Sequence, residues 1–165
     1  MPIFLPPVFG DAEVRVDRAG NGWFSASRGG RAHLGIDLYV EPGEILLSPC
    51  AGRFVRWGNP YTGSSTYKLF EIAHDGCWQV RVFYCEPLGG GLTPLHIELR
   101  QKIARAQDIT SRYPDSGMLN HVHVECRTMD ERVIPTGVRR IQKNSWWYCD
   151  GAVLMGVKKV RRGKE

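Results

Sequence analysis

The sequence lacks the long apolar runs of a membrane protein. No part of its 165 residues approaches the roughly 18 uninterrupted apolar residues that a membrane-spanning helix requires. The amino-terminal stretch MPIFLPPVFG is apolar, but it has no basic leader, and its three prolines would break the apolar helix of a signal peptide. We therefore expect residues 1–8 to be an extended anchoring segment. The sequence gives no support for export by a standard signal peptide.

Closely paired cysteines are also missing. The five cysteines are an odd number without CxxC spacing, and a chain of this length can bury a core without disulfide bridges. Structural zinc sites built on cysteine usually bring their ligands in close pairs, so this spacing argues against such a site. We expect five free, mostly buried thiols: Cys50, Cys77, Cys85, Cys126 and Cys149.

The composition is that of one globular domain, with 42% hydrophobic and 24% charged residues. The net charge of +5 is concentrated at the carboxy terminus, because residues 139–165 carry +6 and the remainder carries −1. Such a basic tail is typical either of a solvated terminus or of an arm that contacts cell-wall polymer, nucleic acid or a partner protein. A role in binding nucleic acid has no other support in the sequence.

Short β-rich runs recur between clusters of Gly, Pro, Asn and Asp, whereas helical periodicity is scarce. This pattern predicts a mostly β, single-domain fold, either an antiparallel sandwich or an open barrel. The segment 97–107 is ambiguous, because its spacing also fits a helix. The predicted strands are residues 34–40, 44–49, 52–58, 67–74, 78–85 and 121–127.

Three of the five histidines fall in two short motifs, HLGID (33–37) and HVHVE (121–125). In HVHVE, strand alternation places His121, His123 and Glu125 on one face, with the two imidazoles roughly 7 Å apart. That separation favours one metal ligand beside one acid/base group over two ligands of the same ion.

The HLGID motif must bend if both of its ends bind one metal, because four extended residues would separate them by roughly 13 Å. Gly35 would permit the bend, with His33 in a loop and Asp37 at the start of a strand. Two imidazoles and a carboxylate are ligands that a catalytic zinc ion uses, and they leave a fourth position for water. The isolated His74 and His96 are interpreted as a turn residue and a surface or packing residue.

These motifs, in this order, resemble the lysostaphin-type (LytM-like) zinc peptidases, whose pattern is HxGxD, a YxH motif and a late HxHxE. The resemblance covers about two-thirds of the chain, from residue 9 to residue 127. It implies an open β fold with the duplicated hybrid motif, a peptidase domain at 9–135 and a basic carboxy-terminal extension at 136–165. It also changes the interpretation of 97–107 from a helix to a hairpin.

The resemblance implies a zinc site with three protein ligands, His33, Asp37 and His123. It assigns a catalytic role to His121, the first histidine of the HxH pair. The family's second catalytic histidine belongs to the YxH motif, where this chain has Tyr84 followed by Glu86. We expect Tyr84 to contact substrate. Because Glu86 would share a strand face with Tyr84, we expect Glu86 to point into the cleft and act as general base.

The implied activity is cleavage of peptide cross-links in peptidoglycan, by a bacterial enzyme or by one carried on a phage tail. Without a signal peptide, the protein would be virion-associated or made in the cytoplasm and delivered to the cell wall or periplasm. Its extension would offer a surface for phage-tail or cell-envelope proteins. In this extension, the aromatic group at 146–148 is either a packing clasp or a sugar-stacking surface.

The alternative is a zinc-binding recognition or structural module in which Glu86, in place of the second histidine, has impaired catalysis. The sequence is similar to the leukocyte cell-derived chemotaxin branch in SASRGGRAHLGID, VRVFY and SGMLNHVHVE. Members of that branch keep the metal site, lack the second histidine and are regarded as secreted signalling proteins. They are disulfide-bonded, however, and the cysteines here do not fall at their bridge positions, which favours a bacterial or phage origin.

Overall fold

The computed structural model describes residues 3–89 and 93–158, so residues 159–165 of the predicted basic tail lie outside the described residues. The described ranges contain thirteen strands and one short α-helix. The strands are β1 (Val16–Asp17), β2 (Gly20–Asn21), β3 (Ile36–Tyr39), β4 (Ile45–Leu47), β5 (Gly52–Gly58), β6 (Leu69–His74), β7 (Trp78–Phe83), β8 (Cys85–Pro87), β9 (His96–Ile97), β10 (Lys102–Ala106), β11 (His121–Thr128), β12 (Arg140–Lys143) and β13 (Trp146–Cys149). The helix is α1 (Gly151–Leu154). Short 3-10 helices lie at Thr110–Arg112 and Glu131–Val133.

Most of the described strands belong to one open antiparallel sheet. Seven strands follow the order β12-β13-β11-β7-β6-β5-β9, and β3 is an eighth strand that pairs with the first half of β11. Strands β4, β10 and β8 form a second sheet, and β1 and β2 form a two-stranded ribbon. The prediction of a mostly β, antiparallel architecture is therefore confirmed.

The alternation predicted for HVHVE is present in β11. Val122 and Val124 are fully buried and belong to the hydrophobic core, which they share with Val80 and Val82 of β7. Strand β11 pairs with β7 along one edge, and with β3 and then β13 along the other. This central place fixes the backbone that carries both histidines of the HxH pair.

The segment 97–107 contains strands and no helix, but it is not a hairpin. Strand β9 pairs with β5, whereas β10 pairs with β4 and β8 of the other sheet. Arg100 lies in the turn between them with a φ of +66°. Its guanidinium donates hydrogen bonds to the carbonyls of Pro6 and Val8 at 2.7 and 3.3 Å, which ties the amino-terminal segment to this turn.

The segment predicted as a carboxy-terminal extension is part of the main sheet up to Cys149. Strand β13 pairs with β11, with Cys126 opposite Cys149, and β12 pairs with β13. The backbone amides of Ile3 and Phe4 donate to the Leu154 carbonyl at 2.9 and 3.1 Å, so both ends of the described chain meet.

The aromatic group of β13 is divided between packing and exposure. Tyr148 is buried, and the guanidinium carbon of Arg127 lies 4.0 Å from the ring centroid of Trp146. Trp147 is partly exposed, and the guanidinium of Arg140 lies 5.7 Å from its ring. No helix within the described residues is long and apolar enough to cross a membrane.

Candidate metal centre

Three side chains from the two histidine motifs converge on one point. Oδ1 of Asp37 lies 3.1 Å from Nε2 of His33 and 2.9 Å from Nδ1 of His123, and the two nitrogens are 2.9 Å apart. All three residues are buried. The structure thus brings together the three residues that the sequence indicates as metal ligands.

Strand pairing and glycine packing create this convergence. Asp37 on β3 lies directly opposite His123 on β11. A Cβ atom on Gly35 would lie 2.3 Å from the Val124 carbonyl oxygen and 2.8 Å from Cε1 of His123. Gly35 is therefore required by the close approach of β11. The chain also bends at Gly35, between the loop that carries His33 and the start of β3, as the sequence predicts, although its φ is not in the left-handed region.

Each imidazole of His33 and His123 has one nitrogen that faces Asp37 and an outer nitrogen that points away from it. Each outer nitrogen contacts an oxygen that accepts a hydrogen bond. Nδ1 of His33 lies 3.0 Å from the Trp23 carbonyl oxygen, and Nε2 of His123 lies 3.1 Å from Oε1 of Glu125. A carbonyl or carboxylate oxygen can only accept, so the outer nitrogen of each ring carries the hydrogen. The other nitrogen of each ring faces the Asp37 carboxylate and can bind a metal ion once it has lost its proton.

Asp37 is held as an anion. Its Oδ2 accepts hydrogen bonds from Nη2 of the buried Arg15 at 3.1 Å and from Nη2 of Arg28 at 3.4 Å. Burial by itself would raise the pKa of Asp37, but hydrogen bonds from His123 and His33 lower that pKa well below its usual range. The carboxylate is therefore ready to bind a cation at neutral pH.

His121 lies beside the three-residue cluster and is oriented by the backbone. Its Nδ1 donates a hydrogen bond to the Leu119 carbonyl oxygen at 3.0 Å, which leaves the lone pair on Nε2. That Nε2 lies 3.8 Å from Oδ2 of Asp37. Burial lowers the pKa of His121, although the negative charge of Asp37 opposes this effect. A neutral imidazole with a free lone pair thus faces the cluster.

The expectation that Glu86 points into the cleft is wrong. Glu86 is exposed on β8, where it pairs opposite Arg105, and it does not line the cavity above the cluster. The expectation assumed one extended strand through Tyr84 and Glu86. Tyr84 instead has a φ of +69°, which ends β7 and sends β8 into the second sheet.

Tyr84 does line the cavity, as the sequence predicts. Its ring packs edge-on against His121, with the ring centroids 5.6 Å apart. Burial raises the pKa of Tyr84 to about 12, so its hydroxyl stays protonated at neutral pH. The cavity has a volume of about 640 Å³, and two further tyrosines, Tyr61 and Tyr113, line it as well.

Several residues that support the site are not evident from the motifs. Arg15 is one, and the sequence around it gives no signal, because AEVRV alternates charged and apolar residues and only the structure shows that Arg15 is buried. Gly22 is another, because a Cβ there would lie 2.5 Å from that of Asp37. Glu125 lies within the HVHVE motif, but its contact with His123 and the 3.2 Å ion pair with Arg81 emerge only in three dimensions.

The cluster fits a zinc ion. In a tetrahedral site with bonds of about 2.0 to 2.1 Å, neighbouring ligand atoms lie about 3.3 Å apart, close to the separations found here. Zinc-bound histidines usually donate their other ring N–H to a carboxylate or a backbone carbonyl. Glu125 and the Trp23 carbonyl supply one such partner each.

Comparison with known proteins supports the fold assignment. No family model matches the chain. Leukocyte cell-derived chemotaxin-2 of Mus musculus is 28% identical over 120 residues, which are 72% of this chain and 76% of that protein. A zinc-containing peptidase from Vibrio cholerae has a TM-score of 0.53 at 19% identity and covers 76% of this chain. Lysostaphin from Staphylococcus simulans has a TM-score of 0.50 at 17% identity and covers 66% of this chain.

The chain spans only 36% of the Vibrio cholerae chain and 42% of lysostaphin. At these identities the two structures establish the fold alone, whereas the chemotaxin match is a similarity of sequence over 72% of this chain. Motif order, fold and relatives together confirm the resemblance seen in the sequence: the chain has the lysostaphin-type fold and is similar in sequence to the leukocyte cell-derived chemotaxins.

Proposed function

We propose that this protein is a zinc-dependent endopeptidase that cleaves peptide cross-links of peptidoglycan. The observation that carries the proposal is the convergence of His33, Asp37 and His123, with each imidazole oriented by an acceptor outside the cluster. The similar folds of a zinc-containing peptidase and of lysostaphin support it. The bacterial cell wall is then the place of action, reached from a phage virion or from the bacterium itself.

His33, Asp37 and His123 would hold the zinc ion through Nε2, Oδ1 and Nδ1. When bound, zinc supplies Lewis-acid activation of the scissile carbonyl and of the attacking water. Although burial opposes them, hydrogen bonds from His123 and His33 hold the pKa of Asp37 well below its usual range. Its Oδ2 also accepts hydrogen bonds from Arg15 and Arg28, so the protein supplies a negatively charged ligand at neutral pH. The chemistry therefore depends on a ligand set that is already oriented.

His121 is the proton acceptor of this mechanism. Its hydrogen bond to the Leu119 carbonyl fixes the tautomer, so Nε2 can take a proton from the attacking group and later return it to the leaving amine. The protonated Tyr84 hydroxyl is on the same side of the cavity and can donate a hydrogen bond to substrate. Glu86 has no part in this mechanism, because it lies outside the cavity.

A second function is favoured by the same departure from the family pattern. Among the described residues that line the cavity, His121 is the one imidazole outside the ligand set. The one carboxylate among them that is not a predicted ligand, Glu125, is paired with His123 and Arg81. Loss of one acid/base group reduces a rate by a factor of about 10² to 10⁴. The rival function is thus a zinc-binding module that recognises the cell wall without useful turnover.

Release of new amino groups from purified peptidoglycan by the zinc-loaded protein tests both functions. The endopeptidase predicts release that stops on chelation, returns with added zinc and is abolished in His121→Ala, which retains bound zinc. A Glu86→Gln variant serves as the matched control and should retain full activity. The recognition module would instead be established by a protein that binds zinc and is pulled down with peptidoglycan, but releases no more amino groups than the chelated sample.

A further inference from the structure

Two arginines are fixed beside the metal cluster by a tight hairpin. Residues 28–31 have the sequence Arg-Gly-Gly-Arg, and the Arg28 amide donates to the Arg31 carbonyl at 2.8 Å. The two glycines have φ angles of +61° and +94°, which is typical of the type I′ turn of two-residue hairpins. The hairpin continues to His33, whose amide donates to the Ala26 carbonyl at 2.8 Å. The turn and a metal ligand therefore share one short hairpin.

Arg28 and Arg31 both line the cavity, and so does Lys143, from the end of β12. Arg28 contacts the Asn21 carbonyl at 2.8 Å and Asp37 at 3.4 Å. Arg31 and Lys143 are exposed, and neither has an ion-pair partner within the described ranges 3–89 and 93–158. These two cations therefore line the cavity without a counter-charge from the part of the chain that the structure describes.

The two carboxylates that line the cavity already have other ion-pair partners. Asp37 contacts Arg15 and the two ligand histidines, and Glu125 contacts His123 and Arg81. Neither can neutralise Arg31 or Lys143. The lining of the cavity therefore includes uncompensated positive charge.

Three tyrosines also line the cavity. The hydroxyls of Tyr61 and Tyr113 are 3.0 Å apart, and the rings of Tyr61 and Tyr84 stack with centroids 6.1 Å apart. Burial raises the pKa of Tyr61 and of Tyr84, so both remain neutral. A substrate in the cavity thus meets both cationic side chains and neutral tyrosine rings.

We propose that Arg28, Arg31 and Lys143 form a carboxylate-binding subsite that orients the substrate at the metal. The preferred substrate is a peptide with a free carboxylate within a residue or two of the scissile bond, as opposed to a neutral or amidated peptide. Guanidinium groups suit this task because their fork of donors matches the two oxygens of a carboxylate. The proposal rests on the proposed peptidase function for its substrate class.

The test uses the zinc-loaded full chain and a matched pair of synthetic stem peptides, one with a free glutamyl α-carboxylate and the other with its carboxamide. Binding is measured by calorimetry, and cleavage by the release of amino groups. We expect the free carboxylate to bind about tenfold more tightly, as one charge-assisted contact gives. Arg31→Gln and Lys143→Gln should each remove most of this preference. Arg18→Gln and Lys102→Gln, which change exposed cations outside the cavity, should retain it.

The two assays separate this subsite from the peptidase proposal. A carboxylate preference without cleavage would support the subsite and overturn the peptidase function. Cleavage of both peptides at equal efficiency and affinity would overturn the subsite and leave the peptidase function standing. If the protein binds neither peptide, the subsite is overturned. Displacement of the bound peptide by low concentrations of poly(glycerol phosphate) would also overturn it, because the ligand would then be a phosphate polymer.

Discussion

Asp37 and His123 are direct partners across two antiparallel strands, and Oδ1 of Asp37 lies 2.9 Å from Nδ1 of His123 although 86 positions separate them in the chain. The candidate metal site is thus part of the hydrogen-bonded sheet. The backbone pairing of β3 with β11 fixes the ligand spacing before any metal binds. We therefore expect different effects on zinc binding and on stability from three kinds of change: to the ligands, to the residues that hydrogen-bond the ligand rings, and to the packing of β3 against β11.

Replacement of Asp37 should affect both metal content and stability. Asp37→Ala removes the one charged ligand and leaves Nη2 of the buried Arg15 without its carboxylate. We expect loss of stoichiometric zinc and a decrease of about 3 kcal/mol in the free energy of unfolding, as for other broken buried ion pairs. Elemental analysis and denaturant titration measure the two effects. The surface pair Glu131–Arg140 supplies the control, because Glu131→Ala should retain zinc and change stability by less than about 1 kcal/mol.

Two glutamates should differ sharply when each is changed to glutamine. Glu125→Gln weakens the contact that orients His123, so we expect zinc affinity to fall by a factor of about 10 to 100. Glu86→Gln changes an exposed side chain on another sheet and should leave zinc affinity unchanged. Competition with a chromogenic chelator gives both constants. Equal zinc affinities for the two variants would contradict the proposal that Glu125 orients His123 for zinc binding.

Zinc binding should release protons and depend on pH. Burial by itself would lower the pKa of His123, but hydrogen bonds to Asp37 and Glu125 raise it to about 9 in the metal-free protein. Because zinc requires an unprotonated nitrogen, apparent affinity should rise about tenfold per pH unit until the pH passes that pKa. Calorimetry at neutral pH, in buffers of different ionisation enthalpy, should show close to one released proton per zinc. A binding enthalpy that is independent of the buffer would refute this.

The packing of β3 against β11 can be tested at Gly35. Gly35→Ala places a methyl group against the Val124 carbonyl and the His123 ring, so we expect a loss of about 2 kcal/mol in stability together with weaker zinc binding. Gly151→Ala is a suitable control, because its Cβ would meet Ile36 at an ordinary 3.5 Å. That change should alter the free energy of unfolding by no more than about 1 kcal/mol. Thermal unfolding with and without zinc distinguishes the two variants.

Much of the fold follows from local pattern. The predicted strand at 52–58 coincides with β5, and the prediction at 121–127 differs from β11 by one residue. Strand β13 was missed. Its aromatic residues were interpreted only as a packing or sugar-stacking surface of a carboxy-terminal extension, and not as part of a strand. The pattern of 97–107 indicates strands only through the family resemblance, and their pairing into two different sheets depends on partners far away in the chain.

The sequence by itself determined the residue types and their faces: two imidazoles and a carboxylate in two motifs, with the valines between the histidines directed into a core. Only the tertiary structure decided that Asp37 would lie opposite His123, that Trp23 and Glu125 would orient the ligand rings, and that Glu86 would lie outside the cavity. The physical reason is that side-chain alternation depends on neighbours along the chain, whereas strand register depends on remote residues that bury each other. A single left-handed residue, Tyr84, was enough to redirect the strand on which the Glu86 prediction depended.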